Sequence, residues 1–194
     1  MDLSSIIGIS ILLLLWGAQL KKRSLLGIHA RKIFVVAILA QYIGPFIQTQ
    51  KYFTSLLLAP PPARYLIPPY QSLSYFLFTA QRKFWVPYFI SLLVALLIIA
   101  ALRALPQKTF NRIFEKEEPY IIALCVALCP NPLWIFYIGV TLALYLVASI
   151  VTTIFTKEKR SSLYQLWIPA GIITLLLIAQ IKTIEPLGAL LLFR

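Results

Sequence analysis

The chain reads as an all-α, polytopic membrane protein of about six transmembrane helices, a single transmembrane domain over residues 1–194, with an interfacial or re-entrant segment between spans two and three. Three observations predict this. Five stretches, 3–20, 33–50, 84–102, 119–156 and 161–181, contain no charged side chain. Each approaches or exceeds the roughly 20 apolar residues that a helix needs to cross a hydrocarbon core of ~30 Å. The sequence is 60% hydrophobic, and its net charge of +12 comes from bases gathered at the ends of those stretches.

The first span, 3–20, is expected to remain in place and not be cleaved as a signal. Asp2 stands where a basic leader region belongs, and Trp16-Gly17-Ala18-Gln19-Leu20 runs into Lys21-Lys22-Arg23 without a small-x-small cleavage site. The second span is 33–50. Residues 51–83 then hold Lys51, Arg64, Arg82 and Lys83, with Pro60-Pro61-Pro62 and Pro68-Pro69 ahead of an apolar run at 70–80. That run is too short to cross a bilayer, so it is expected to lie in the interface or to re-enter the membrane. The third span is 84–102.

The fourth stretch, 119–156, would be about 57 Å long as one helix. Pro130-Asn131-Pro132 breaks it into a hairpin, because two prolines around an asparagine form a strong turn signal. The result is a short fourth helix at 119–129 and a full fifth span at 133–156. The short helix covers only about 16 Å. It must extend back through 110–118 or begin inside the protein, with its N-terminus lining a recess. The sixth span is 161–181.

Bases at span ends read as topology signals and lipid-phosphate contacts, and not as a nucleic-acid patch. Lys21, Lys22, Arg23, Arg31 and Lys32 mark the first loop. Arg103, Lys108, Arg112 and Lys116 mark the third, and Lys157, Lys159 and Arg160 the fifth. By the positive-inside rule these loops are cytoplasmic and both termini face outward. Trp16, Trp85, Trp134 and Trp167 fall near span ends, as an interfacial aromatic belt requires.

The spans carry little chemistry. No ionisable residue is evident in mid-span; the polar groups there are amides and hydroxyls such as Gln41, Tyr42, Thr141, Tyr145, Thr152 and Thr174. Cys125 and Cys129, four apart in a helix, have Cβ atoms about 5–6 Å apart, beyond the ~3.8 Å of a disulfide. His29 is the single histidine, so neither a Cys/His metal site nor a Ser/His/Asp set can be assembled from this chain. No glycine-rich phosphate loop is present. Neither a cofactor nor a catalytic residue is assigned. The acids Glu115, Glu117 and Glu118 precede Pro119, a favourable helix start in which carboxylates meet the positive end of the dipole.

Two features point to partners beyond the lipid bilayer. Ala40-x-x-x-Gly44 and Gly139-x-x-x-Ala143 set small residues one turn apart, which allows close helix approach within the protein or to another membrane protein. Tyr70, Tyr75, Phe76 and Phe78 supply the large amphipathic area enriched at interfaces.

The layout of six spans, outward N-terminus, basic first loop and short fourth helix, with Ile168-Pro169-Ala170-Gly171 in the last span, resembles the prepilin peptidases, a family of intramembrane aspartyl proteases. In that family one catalytic Asp follows span one and another closes a Gly-x-Gly-Asp motif before span four. Here Gln19 stands at the first position, and Glu118, in Glu115-Lys116-Glu117-Glu118-Pro119, at the second. The resemblance therefore implies the fold and carries over no catalytic residue.

The function expected from the sequence is a non-catalytic integral membrane protein, an accessory or scaffold subunit of a membrane protein complex. Two alternatives stand beside it. One is a divergent prepilin-peptidase-like protease using Glu118. The other is a small transport component with a mid-bilayer cavity lined by Gln41, Tyr42, Tyr145 and Thr152.

Overall fold

A computed structural model describes residues 3–21, 23–107, 110, 114–155 and 163–181. Lys22, Lys108, Arg112, Lys157, Lys159 and Arg160, read above as topology signals, lie outside the described residues. The described residues form six helical rods. They are α1 (Leu3–Lys21), α2 (Arg23–Leu58), a composite rod, α5 (Glu118–Leu128), α6 (Trp134–Phe155) and α7 (Trp167–Ile181). The composite rod joins α3 (Leu73–Ala80) through a π-helical turn (Gln81–Trp85) to α4 (Val86–Ala104).

Four rods are long and apolar enough to cross a membrane: Leu3–Lys21, His29–Leu58, Leu73–Ala104 and Trp134–Thr152. Glu118–Leu128 and Trp167–Leu177 are shorter apolar helices. The hairpin expected at Pro130-Asn131-Pro132 is present, with α5 on one side and α6 on the other.

The segment expected to be a separate interfacial or re-entrant helix takes a different form. Residues 73–80 are contiguous with α4, since the π-helical turn carries the helix through Arg82 and Lys83 without a break. A charged pair reads as a span boundary, yet a helix can run through it where the side chains reach solvent. Both Arg82 and Lys83 are exposed.

The short helix α5 is the axis of the bundle. Apart from Tyr120 every one of its residues is buried, and α1, α2, α4, α6 and α7 all pack against it. Pro119 in the first turn lacks only an N–H that a helix start leaves unpaired anyway. Pro130 and Pro132 cannot continue the helix at the other end. Uncapped backbone groups are costly inside a bilayer, and α4 meets them here. The Ser91 hydroxyl donates to Cys129 O at 2.8 Å, and Asn131 N–H donates to Pro87 O at 3.1 Å.

Small residues bring α1 onto its neighbours. A Cβ on Gly44 would stand 2.7 Å from Ser4 Cβ, and one on Gly8 would meet Leu175 at 3.2 Å. On Gly171 it would meet Leu12 at 3.0 Å and Cys125 Sγ at 3.3 Å. With Gln19 Nε2 donating to Tyr164 O at 3.1 Å, these contacts run α1 antiparallel to both α2 and α7. Two ends of the bundle follow. A basic end gathers Lys21, Arg31, Lys32, Arg103 and the start of α5. The opposite, aromatic end holds Ser4, Trp85, Asn131 and Trp134.

Candidate functional site

The feature that most distinguishes the molecule is a prong at the aromatic end. The last turns of α2 and the whole of α3 continue past the bundle side by side, joined over residues 59–72. They share a small core of their own, Leu56, Ile67, Phe76 and Ala80, with Tyr52, Phe53 and Phe84 packed on it. Phe76 stacks on Tyr52 at 5.9 Å and meets Phe53 edge-on at 5.1 Å. Ser72 caps α3 by accepting Tyr75 N–H at 3.3 Å. Tyr65 and Tyr70 pack edge to face at 4.7 Å. The foot of the prong is tied at Trp85, whose Nε1–H donates to Thr49 Oγ1 at 3.0 Å.

The predicted interface residues divide on this frame. Tyr70, Tyr75 and Phe78 are exposed, Phe78 by 65%, while Phe76 is only 5% exposed and belongs to the prong's core. The sequence carried the signal for that split. Residues two apart on a helix cannot share a face, so Phe76 and Phe78 had to point different ways. Around the exposed rings stand Leu58 (82% exposed), Tyr65, Leu66 and Leu73.

The two small-residue motifs also divide. Gly44 is buried against Ser4, with Ala40 half-buried a turn away, so this motif seats α1 on α2. Gly139 and Ala143 are exposed on α6, and nothing lies within 4 Å of a Cβ built on Gly139. The surrounding face of α6, with Ile135, Leu142, Leu146 and Ile154 exposed, is apolar throughout.

At the basic end an apolar recess opens between α1, α2, α5 and α7, lined by residues including Leu12, Leu15, Ala30, Ile33, Tyr120 and Cys125. Gln19 lies one turn beyond Leu15, and Glu118 two residues before Tyr120, and neither side chain is part of the recess lining. Their chemistry is structural. Gln19 holds Tyr164 O, and Glu118 Oε2 accepts Glu115 N–H at 3.0 Å, closing the turn that starts α5. Arg103 stacks its guanidinium over the Tyr120 ring at 4.9 Å and donates to its hydroxyl. The recess lining itself is apolar apart from Tyr120 and Cys125, and the Gln19 amide and the Glu118 carboxylate are engaged outside it.

None of the residues considered for a transport cavity lines this recess. Tyr42 stacks on Trp85 at 6.1 Å and meets Phe89 at a tilt at 5.5 Å, the three rings forming one cluster. Gln41 is buried, with Gly8 on the α1 side. Tyr145 is on the outer face of α6, and Thr152 donates to Ala148 O at 2.9 Å. Cys125 and Cys129 are buried free thiols. Cys125 Sγ and Tyr137 OH both donate to Trp167 O, at 3.6 and 3.4 Å, and so knit α5, α6 and α7 together. Among the described residues no group of three or more His, Cys, Asp or Glu could hold a metal ion.

Comparison with models of protein families, with curated proteins and with solved structures gives no match to this chain.

Proposed function

We propose that the protein is a multi-pass membrane protein without catalysis of its own, an accessory or scaffold subunit that docks another protein through the tip of its prong. The observation that carries this reading is a length mismatch. The apolar stretches His29–Leu58 and Leu73–Ala104 contain 30 and 32 residues, about 45 and 48 Å as helix. A hydrocarbon core takes up ~30 Å, and the headgroups add about 5–8 Å on each side.

With Trp85 at the interface, where aromatic belts sit, Leu73 stands about 18 Å further out. The tip residues Leu58, Tyr65, Tyr70 and Leu73 are then beyond the reach of lipid and remain exposed. A protein surface is what would remove that apolar area from water. The prolines at 60–62 and 68–69 stiffen the approach and lower the ordering cost of docking. The bases at the other end support an orientation with that end cytoplasmic and both termini outside.

Site-specific photocrosslinking tests the reading. A benzophenone side chain in place of Tyr70, activated in the native membrane, should give a discrete adduct with a second protein. A folded, inserted chain that yields no protein adduct from this position would defeat the subunit reading.

One observation favours a second reading, descent from prepilin-peptidase-like proteins. Gln19 and Glu118 both lie at the basic end of the bundle, near the apolar recess though outside its lining, and these are the positions that the resemblance singles out. On that reading the fold has been kept while the carboxylate pair has not.

A further inference from the structure

Between residues 3 and 114 the sequence contains no Asp or Glu. The bases carried by α1 to α4 and by the prong therefore have no carboxylate within those elements. Three of them form a band at the foot of the prong. Lys51 lies two residues past Thr49 on α2, and Arg82 and Lys83 lie three and two residues before Trp85 on the composite rod. The hydrogen bond between Trp85 and Thr49 sets these two places side by side. All three bases are thus within about one helical turn of the Trp85 indole, which the membrane placement proposed above, and on which this inference rests, sets at the interface.

All three side chains are exposed. Lys83 is also oriented, its ammonium standing 5.3 Å from the centroid of the Tyr52 ring and 5.7 Å from that of Phe84. The prong's remaining base, Arg64, is at the tip and away from this band.

We infer that Lys51, Arg82 and Lys83 form a collar that binds the headgroups of anionic phospholipids. The depth of the collar selects lipid over a protein partner. Bases within a turn of the interfacial tryptophan are inside the headgroup layer, whereas the tip stands well outside it. Charge selects anionic over zwitterionic lipid, at about fivefold per base near a membrane surface and on the order of a hundredfold for three. The collar also explains why bases stand at the end of the bundle that the positive-inside rule would leave neutral. It holds the chain at a fixed depth, and it does not depend on whether the tip docks a subunit.

Native mass spectrometry of the whole protein, released from detergent containing equimolar dioleoyl-phosphatidylglycerol and dioleoyl-phosphatidylcholine, tests the collar. The native chain should retain phosphatidylglycerol at least tenfold over phosphatidylcholine. The variant Lys51→Gln/Arg82→Gln/Lys83→Gln should lose at least one retained phosphatidylglycerol per chain. The variant Lys51→Arg/Lys83→Arg, which keeps the charges, should retain it. A control at the basic end, Arg31→Gln/Lys32→Gln, should leave the collar's share in place.

Equal phosphatidylglycerol retention by the native chain and the glutamine variant overturns the proposal. So does loss of a co-purifying protein from the glutamine variant with lipid retention unchanged, which would assign the collar to an acidic protein surface.

Discussion

Ser91, fully enclosed between α4 and α5, donates its hydroxyl to the carbonyl oxygen of Cys129 at 2.8 Å. Cys129 is the residue at which α5 ends, and the prolines after it prevent the chain from supplying a helical partner for that carbonyl. A half-length helix can end inside the bundle because one side chain from its neighbour completes the hydrogen bonding. Ser91→Ala should therefore destabilise the protein by about 1–3 kcal/mol, the cost of leaving a buried acceptor unmade. The unfolding midpoint in mixed micelles measures this. An unchanged midpoint would mean that the turn finds its partners elsewhere.

The two small-residue motifs make opposite predictions. Gly44→Ala places a methyl group 2.7 Å from Ser4 Cβ, so α1 must move or strain. A loss of about 1–3 kcal/mol is expected, as for other overpacked cores. Gly139→Ala meets nothing within 4 Å and should be neutral or stabilise the folded chain by about 0.4–1 kcal/mol through the unfolded state. If the Gly139 variant melts like the native protein but loses a bound partner, the exposed face of α6 is an interface as well.

Within the prong, Phe76→Ser removes a ring from a closed cluster and should cost about 3–5 kcal/mol, by comparison with buried Phe→Ala changes. Tyr70→Ser and Phe78→Ser alter exposed rings and should move the melting temperature little while weakening partner association. Should Tyr70→Ser and Phe78→Ser destabilise as much as Phe76→Ser, the prong is an internal lid and its tip no docking surface.

What the sequence made legible was local chemistry. Pro130-Asn131-Pro132 breaks a helix wherever it occurs, so the hairpin and the shortness of α5 could be read directly. The continuity of α3 with α4 could not, because Arg82 and Lys83 resemble a loop until the helix is seen to present them to solvent. The role of Gln19 and the identity of the helix that Gly44 packs against were equally hidden. Tyr164 lies 145 residues from Gln19, and Ser4 lies forty positions from Gly44. Neither partner leaves a mark on the sequence near the residue it meets. The aromatic segment was picked out by composition, but its division into core and surface depended on the helical register of residues 73–80.

Glu118 is the one carboxylate buried in the bundle among the described residues, and its Oε2 closes the turn before α5. Glu118→Gln keeps an acceptor at that position and removes the acid. Biological activity should be unchanged, with stability altered by no more than about 1–2 kcal/mol. A specific loss of precursor cleavage in a folded and inserted Glu118→Gln chain would replace the subunit reading with the proteolytic one.

Sidedness follows from the composite rod. Arg64 precedes the 32 residues of Leu73–Ala104 and Gln107 follows them, and both side chains are exposed. A rod that crosses the bilayer once must put these residues on opposite faces. Single cysteines can be introduced there after Cys125→Ala and Cys129→Ala remove the native thiols. Arg64→Cys should then react with a membrane-impermeant maleimide in intact cells. Gln107→Cys should react only after permeabilisation, because the proposed orientation puts the end that carries Arg103, Lys116 and the bases of the first loop on the cytoplasmic side. The reverse pattern would keep the crossing and invert the orientation. Labelling of both from outside would show that Leu73–Ala104 does not cross, and would remove the length argument on which the exposed tip depends.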